Sequence, residues 1–223
     1  MKFKVSPSKL YAIFQREGIL IKKAAEVGVY SFETSLLRPL IFAGIQCDLY
    51  EPVPEFCSSI KKDISNFSNV RLFEFAISNF DGEIELCLAG ASTFNSLSKE
   101  SPAINHDGFN KELARKIVVP CRDFYKQDDG DYAFISIDVE GFEYSVLKRM
   151  RSRPVLINIE TQSRDYINPR LGSITDWMKE NGYRVWFKHN TDTMFIRDNK
   201  PKSNFILGIN GWLQNKIYFA GRL

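Results

Sequence analysis

Five acidic residues sit where apolar runs give out: Glu26 in AAEVG, Glu51 in QCDLYEP, Asp138 and Glu140 in FISIDVEGF, and Glu160 in VLINIE. An acid at the end of a buried strand stands at the rim of a sheet, where it can take a proton, hold a hydroxyl or ligate a hard cation. Each also has a plainer reading, because loops tolerate charge and an acid favours the N-terminus of a following helix. Repetition at corresponding strand ends marks the rim as a site. Asp138 is the first candidate for a general base and Glu160 the second. His189, in the loop expected after RVWFK, is the third. His106 falls in a serine-rich stretch and reads as solvated. A magnesium ion bridging Asp138, Glu160 and substrate oxygens would suit these hard ligands.

The elements that must position these residues alternate between strand and helix, the pattern of a parallel sheet covered on both faces. A helix from Ser6 to about Arg16 is closed by Gly18, and AAEVG is a short strand ending at Gly28. SFETSLLRPLIFAG reads as a helix interrupted near Pro39, QCDLYEP as the second strand, and PEFCSSIKKDISNF as a helix with Phe56, Ile60 and Ile64 on one face. VRLFEFAIS reads as one third strand. NFDG turns into the half-exposed strand EIELCLAG, and Ala91 to Glu112 is expected to be a loop near the site. KIVVPCRDFY, YAFISID and VLINIE are further strands. SITDWMKENGY is a helix capped by Ser173, and RVWFK with TMFIRD closes the sheet as an antiparallel pair. The expected fold is α/β, a Rossmann-like, doubly wound, mostly parallel sheet with an antiparallel C-terminal edge, in a single domain over residues 1–223.

Composition narrows the function. With 30 basic and 27 acidic residues the net charge is +3, and no block of like charge suggests nucleic-acid binding. LKRMRSR sits at a helix end, where its cations offset the dipole; an anionic partner is the alternative. No run reaches the roughly 18 apolar residues of a membrane span, and the N-terminus lacks a signal-peptide core, so a cytoplasmic protein is expected. Cys47, Cys57, Cys87 and Cys121 have no C-x-x-C spacing and read as buried thiols. Among the aromatics, Phe94, Phe109, Trp177 and Trp186 are candidates for stacking on a ligand ring, though most aromatics belong to the core.

Gly28 and Glu51 lie 23 residues apart, close to the roughly 20 of a nucleotide-binding βαβ unit, but EVGVYSFE is not a phosphate-cradling glycine loop. A ligand without a pyrophosphate suits it. The EVGVYSFE turn at 26–33, EP at 51–52, AISNFDGEIEL at 76–86 and especially IDVEGFEYSVL at 137–147 resemble the FkbM-type family of S-adenosylmethionine-dependent methyltransferases. The resemblance implies a class I methyltransferase fold and O-methylation of a sugar, glycan or similar acceptor. It implies that Glu26, Gly28, Tyr30 and Ser31 form the first cofactor turn, that Glu51 holds the ribose, and that Ala76 and Ile77 pass the adenine. It implies further that Asp138 stands beside the methyl donor and that Glu140 opens the next helix. The sequence departs from the family pattern at Val29, Tyr30 and Phe32, where alanine, asparagine and a second glycine are usual, which predicts a narrowed methionine end. The rival readings are a binding protein that keeps the fold without catalysis, and a nucleotide-sugar glycosyltransferase using DDGD at 128–131 as a metal cluster.

Overall fold

The computed structural model describes residues 6–89, 92–95, 115–162, 167–189 and 191–198. His106, Phe109 and the tail from Lys200 lie outside the described residues, as does the side chain of Phe94.

Helix α1 (Pro7–Arg16) starts as its sequence dictates, with Ser6 Oγ accepting from the Lys9 amide and Pro7 in the first turn. Strands β1 (Lys23–Val27) and β2 (Gln46–Tyr50) flank α2 (Arg38–Phe42), and α3 (Pro54–Ile64) leads to β3 (Val70–Phe73). α2 is much shorter than the expected helix, and Pro39 lies in its first turn instead of interrupting it. Residues before it are diverted into side-chain bonds: Ser31 and Thr34 bond each other at 2.7 Å, while Ser35 and Leu36 are taken by Glu26.

VRLFEFAIS is two strands and not one. β3 pairs with β2, and after a break at Glu74 and Phe75, β4 (Ala76–Ser78) joins a second sheet. That sheet has the order β4-β7-β5-β6, with β5 (Gly82–Ala89), β6 (Ser92–Asn95) and β7 (Arg115–Asp123). β6 falls inside the stretch expected to be a loop. A short α4 (Phe124–Gln127) then leads to β8 (Phe134–Ile137), α5 (Glu143–Arg149), β9 (Leu156–Glu160), α6 (Leu171–Glu180), β10 (Tyr183–His189) and β11 (Asp192–Arg197). Ser173 lies inside α6, which begins two residues earlier. Asn168 Oδ1 accepts from the Arg170 amide at that end.

Among the described residues the main sheet has seven strands in the order β10-β11-β9-β8-β1-β2-β3. β11 runs antiparallel to both neighbours, and the remaining pairs are parallel. Side chains alternate across it: Ala24, Phe134, Leu156 and Ile196 face one apolar cluster, while Ala25, Ile135, Ile157 and Phe195 face the other. Chain direction reverses its progress between β1 and β8, so the crevice at their carboxyl ends is the switch point where doubly wound sheets bind ligands. All four cysteines are free and buried. Among the described residues no helix is long and apolar enough to cross a membrane.

Candidate active site

A cleft opens at that switch point. Its base is Val27, Gly28 and Asp138; one side is Tyr30, Glu51 and Phe56, and the other is Phe75 to Ser78 with Ile84 and Leu86 from the second sheet. Thus the hairpin excursion contributes a wall. Gly28 sits at φ +83°, and a Cβ on it would lie 1.8 Å from the carbonyl oxygen of Asp138. The glycine is required by the contact between neighbouring backbones, independently of any ligand.

Glu51 is buried beside this turn. Its Oε2 accepts from the amides of Val29 (3.1 Å) and Tyr30 (2.9 Å), and its Oε1 from that of Val53 (2.9 Å). Burial raises its pKa, opposed by those three hydrogen bonds. Of the roughly four acceptor positions a carboxylate offers, three are filled by the protein itself, which leaves one for a ligand hydroxyl. Tyr30 adopts φ +58°, a left-handed conformation that the asparagine of the family pattern accepts more readily. It is 44% exposed, with its ring 4.8 Å from Phe56, edge to face, at the cleft wall.

Phe32 does not narrow the cleft as its position in the sequence predicts. Its side chain is buried in the apolar cluster with Phe42 and Phe67, and it does not line the cleft. Glu26 and Ser31 are also absent from the cleft wall. Side-chain alternation turns Glu26 to the opposite face from Val27, where Ser35 Oγ donates to its Oε2 and the Leu36 amide to its Oε1 at 3.0 Å. Burial lifts its pKa to about 7 in spite of these donors.

The three candidate bases fall in one row. Ile137 pairs with Ile159, Glu160 with Asp192, and Asp192 with His189, so Asp138, Glu160, Asp192 and His189 lie side by side across β8, β9, β11 and β10. Asp138 opens onto the cleft, yet protein atoms crowd its carboxylate. That desolvation, with the charges of Glu160, Glu140, Asp192 and Glu143, holds its pKa well above the usual range. Glu160 is raised to about 8 by burial and then by Glu140, Glu143 and Asp192. Its Oε2 has no hydrogen-bond partner among the described residues. His189 ends β10 and is buried, where an exposed loop was expected. Asn158 Nδ2 donates to Ser136 Oγ at 3.2 Å, so its Oδ1 accepts from His189 Nε2 at 3.3 Å and leaves Nδ1 an acceptor without a partner among the described residues. Burial lowers the His189 pKa, with Asp192 opposing.

Sequence reasoning missed Glu143. The turn after β8 puts Glu140 at φ +52°, and α5 begins only at Glu143. Glu143 Oε1 accepts from the amides of Val139 and Gly141, each at 3.0 Å, and Oε2 from Asn168 Nδ2 at 2.8 Å. Carboxylate oxygens of Asp138, Glu143 and Glu160 come within 4.8 Å of one another. The spacing of Glu143 three residues after Glu140 signals an acid in a first helical turn, but nothing local reveals its partner on another loop. Away from the rim, Asp128 of DDGD is spent on structural hydrogen bonds, accepting from the amide of Gly130 in its own turn and from those of Arg151 and Ser152. Asp129 and Asp131 pair with Lys23. Arg149 of the basic stretch binds Asp123 through two nitrogens, and Trp177 and Trp186 pack against the core.

A sheet of this order with a switch-point cleft of this kind is the class I methyltransferase fold, and sequence comparison agrees. Residues 24–185 match the family model described as the methyltransferase FkbM domain, and the chain belongs to that family. No curated protein matches the chain in sequence. Among solved structures, a putative caffeoyl-CoA O-methyltransferase from Staphylococcus aureus is similar at 13% identity and a TM-score of 0.52, over 88% of this chain and 85% of that one. The methyltransferase domain of bacterial CtHen1-CN aligns at 11% identity with a TM-score of 0.49, over 85% of this chain and 95% of that one.

Proposed function

We propose that the protein is an S-adenosylmethionine-dependent O-methyltransferase acting on a sugar, glycan or similar small hydroxylated acceptor. The observation that carries the cofactor half is the lining of the cleft. It holds three carboxylates, Glu51, Asp138 and Glu140, and among the described residues no lysine or arginine. Such a lining suits a cationic sulfonium without phosphates and disfavours a nucleotide diphosphate, which also counts against a glycosyltransferase. Phe75, Ile77, Ile84 and Leu86 offer an apolar wall for adenine, and Glu51 retains one acceptor position for a ribose hydroxyl.

The cofactor supplies an electrophilic methyl group for in-line displacement by the acceptor oxygen. The protein must therefore hold the two partners in line and receive one proton. Asp138 is the residue at the junction of cleft and acid row, so it is assigned the proton from the acceptor hydroxyl. Its raised pKa favours that role, because once ionised it is a more basic proton acceptor than an ordinary aspartate. Glu160 stabilises the protonated pair and His189 is placed at the far end of the row. Magnesium is the other way to relieve the repulsion among these acids. Asp138 and Glu160 would hold it, because the oxygens of Glu143 already accept three hydrogen bonds.

A second reading, a non-catalytic binding protein, is favoured by Tyr30 at the cleft wall and by the filled acceptor positions of Glu51. One experiment separates the two. Purified protein is titrated with S-adenosylhomocysteine, and S-adenosylmethionine turnover is then followed over a panel of sugars and glycans with magnesium or with EDTA. Binding with turnover supports the enzyme; binding without turnover on any acceptor, or no binding at all, supports the second reading. Loss of turnover in EDTA alone assigns the rim to a cation.

A further inference from the structure

We infer that Asn168 and Glu143 form a latch that joins the loop after β8 to the loop after β9 and so sets the placement of Asp138 against Glu160. The inference rests on the reading of this rim as the place of methyl transfer. Asn168 lies after β9 and Glu143 after β8, and they are 1% and 0% exposed. Glu143 Oε1 grips the turn that carries Asp138 through the amides of Val139 and Gly141. Glu143 Oε2 takes the Asn168 amide at 2.8 Å, and the same Nδ2 donates to the backbone carbonyl of Glu160 at 3.1 Å. The remaining group, Asn168 Oδ1, accepts from the Arg170 amide at 2.8 Å, and the Asn168 backbone amide donates to Thr161 O at 2.6 Å.

Every polar group of the side chain is thus used, and the partners fix which end is oxygen. Nδ2 faces two acceptors, one from each loop, while Oδ1 faces a donor. An aspartate of the same shape would bring a second carboxylate against Glu143 and an oxygen against the Glu160 carbonyl. Asn168 is therefore a positioning residue, and its effect passes through Glu143 to a turn on a different strand.

The arrangement predicts a rescue that simple helix capping does not. Amide exchange of the full chain would be followed by NMR in Asn168→Ala, Asn168→Asp, Glu143→Gln and the double variant Glu143→Gln/Asn168→Asp, with S-adenosylhomocysteine affinity measured alongside. In Asn168→Ala the Val139 and Gly141 amides should exchange about tenfold faster, while affinity stays within about twofold because Asn168 does not line the cleft. In the double variant the side-chain amide introduced at position 143 donates to the carboxylate introduced at position 168, and protection of Val139 and Gly141 should recover relative to Asn168→Asp. If Asn168→Ala speeds only Arg170 and the first turn of α6, Asn168 is a helix cap and the latch is refuted. If the double variant is no better protected than the sum of its single changes implies, the coupling is refuted as well. Absence of ligand binding by the unaltered protein would instead remove the methyltransferase reading, leaving the exchange result to decide the latch on its own.

Discussion

Gly28→Ala puts the account of the cleft floor under direct load. The added methyl group would enter a left-handed conformation at φ +83° and lie 1.8 Å from Asp138 O and 3.0 Å from its carbonyl carbon. The conformation alone costs about 1–2 kcal/mol for an L-residue. Relief of the overlap requires β1 and the end of β8 to part, at roughly 1–3 kcal/mol for an overpacked interior. For a chain of this size, about 2–5 kcal/mol lowers Tm by roughly 5–20 °C. Thermal unfolding followed by circular dichroism reads the loss, and calorimetric titration with S-adenosylhomocysteine should show binding weakened at least tenfold even where the variant is folded. A variant with unchanged Tm would refute the close approach of Gly28 to Asp138. Unchanged affinity in a destabilised variant would refute the placement of the ligand on this floor.

Other expectations test separate links. Asp138→Asn should keep the fold and bind S-adenosylhomocysteine within a fewfold of the unaltered protein while losing turnover; undiminished turnover in an acceptor assay rules it out as base or cation ligand. Glu26 carries a folded pKa of about 7 against an ordinary 4.5, so its contribution is fully present below 4.5 and is lost as pH rises through 7. That contribution is at most on the order of 3 kcal/mol, and Glu26→Gln should flatten the fall in denaturation free energy between pH 4.5 and 7; an unchanged slope contradicts the buried carboxyl. Leu86→Ala should weaken S-adenosylhomocysteine binding several-fold by thinning the adenine wall, whereas equal affinity would show that the second sheet does not serve the cofactor.

The residues legible in the sequence are those whose role follows from local order. Gly28 after an apolar run, Glu51 before a proline, and Asp138 after FISI all stand at the rim that the βα alternation implies. Glu26 looks the same in sequence, yet alternation along β1 sends it to the opposite face, where a short bend needs its carboxylate. Phe32 misleads for the same reason, since a turn position does not say which way its ring points. The break within VRLFEFAIS is invisible in sequence because its two halves pair with partners far apart in the chain, β2 and β7. His189 reads as a loop residue because TDT does not announce that β11 begins at Asp192 and pairs back at once. Glu143 and Asn168 show the limit most clearly: their bond spans two loops, and no periodicity encodes it.

The most direct test of the central claim is calorimetric titration of the unaltered protein and of Glu51→Ala with S-adenosylhomocysteine. The account predicts micromolar binding by the unaltered protein and its loss in Glu51→Ala, where the Val29 and Tyr30 amides lose their acceptor along with the ligand hydroxyl. No binding by the unaltered protein, or equal binding by Glu51→Ala, would contradict it.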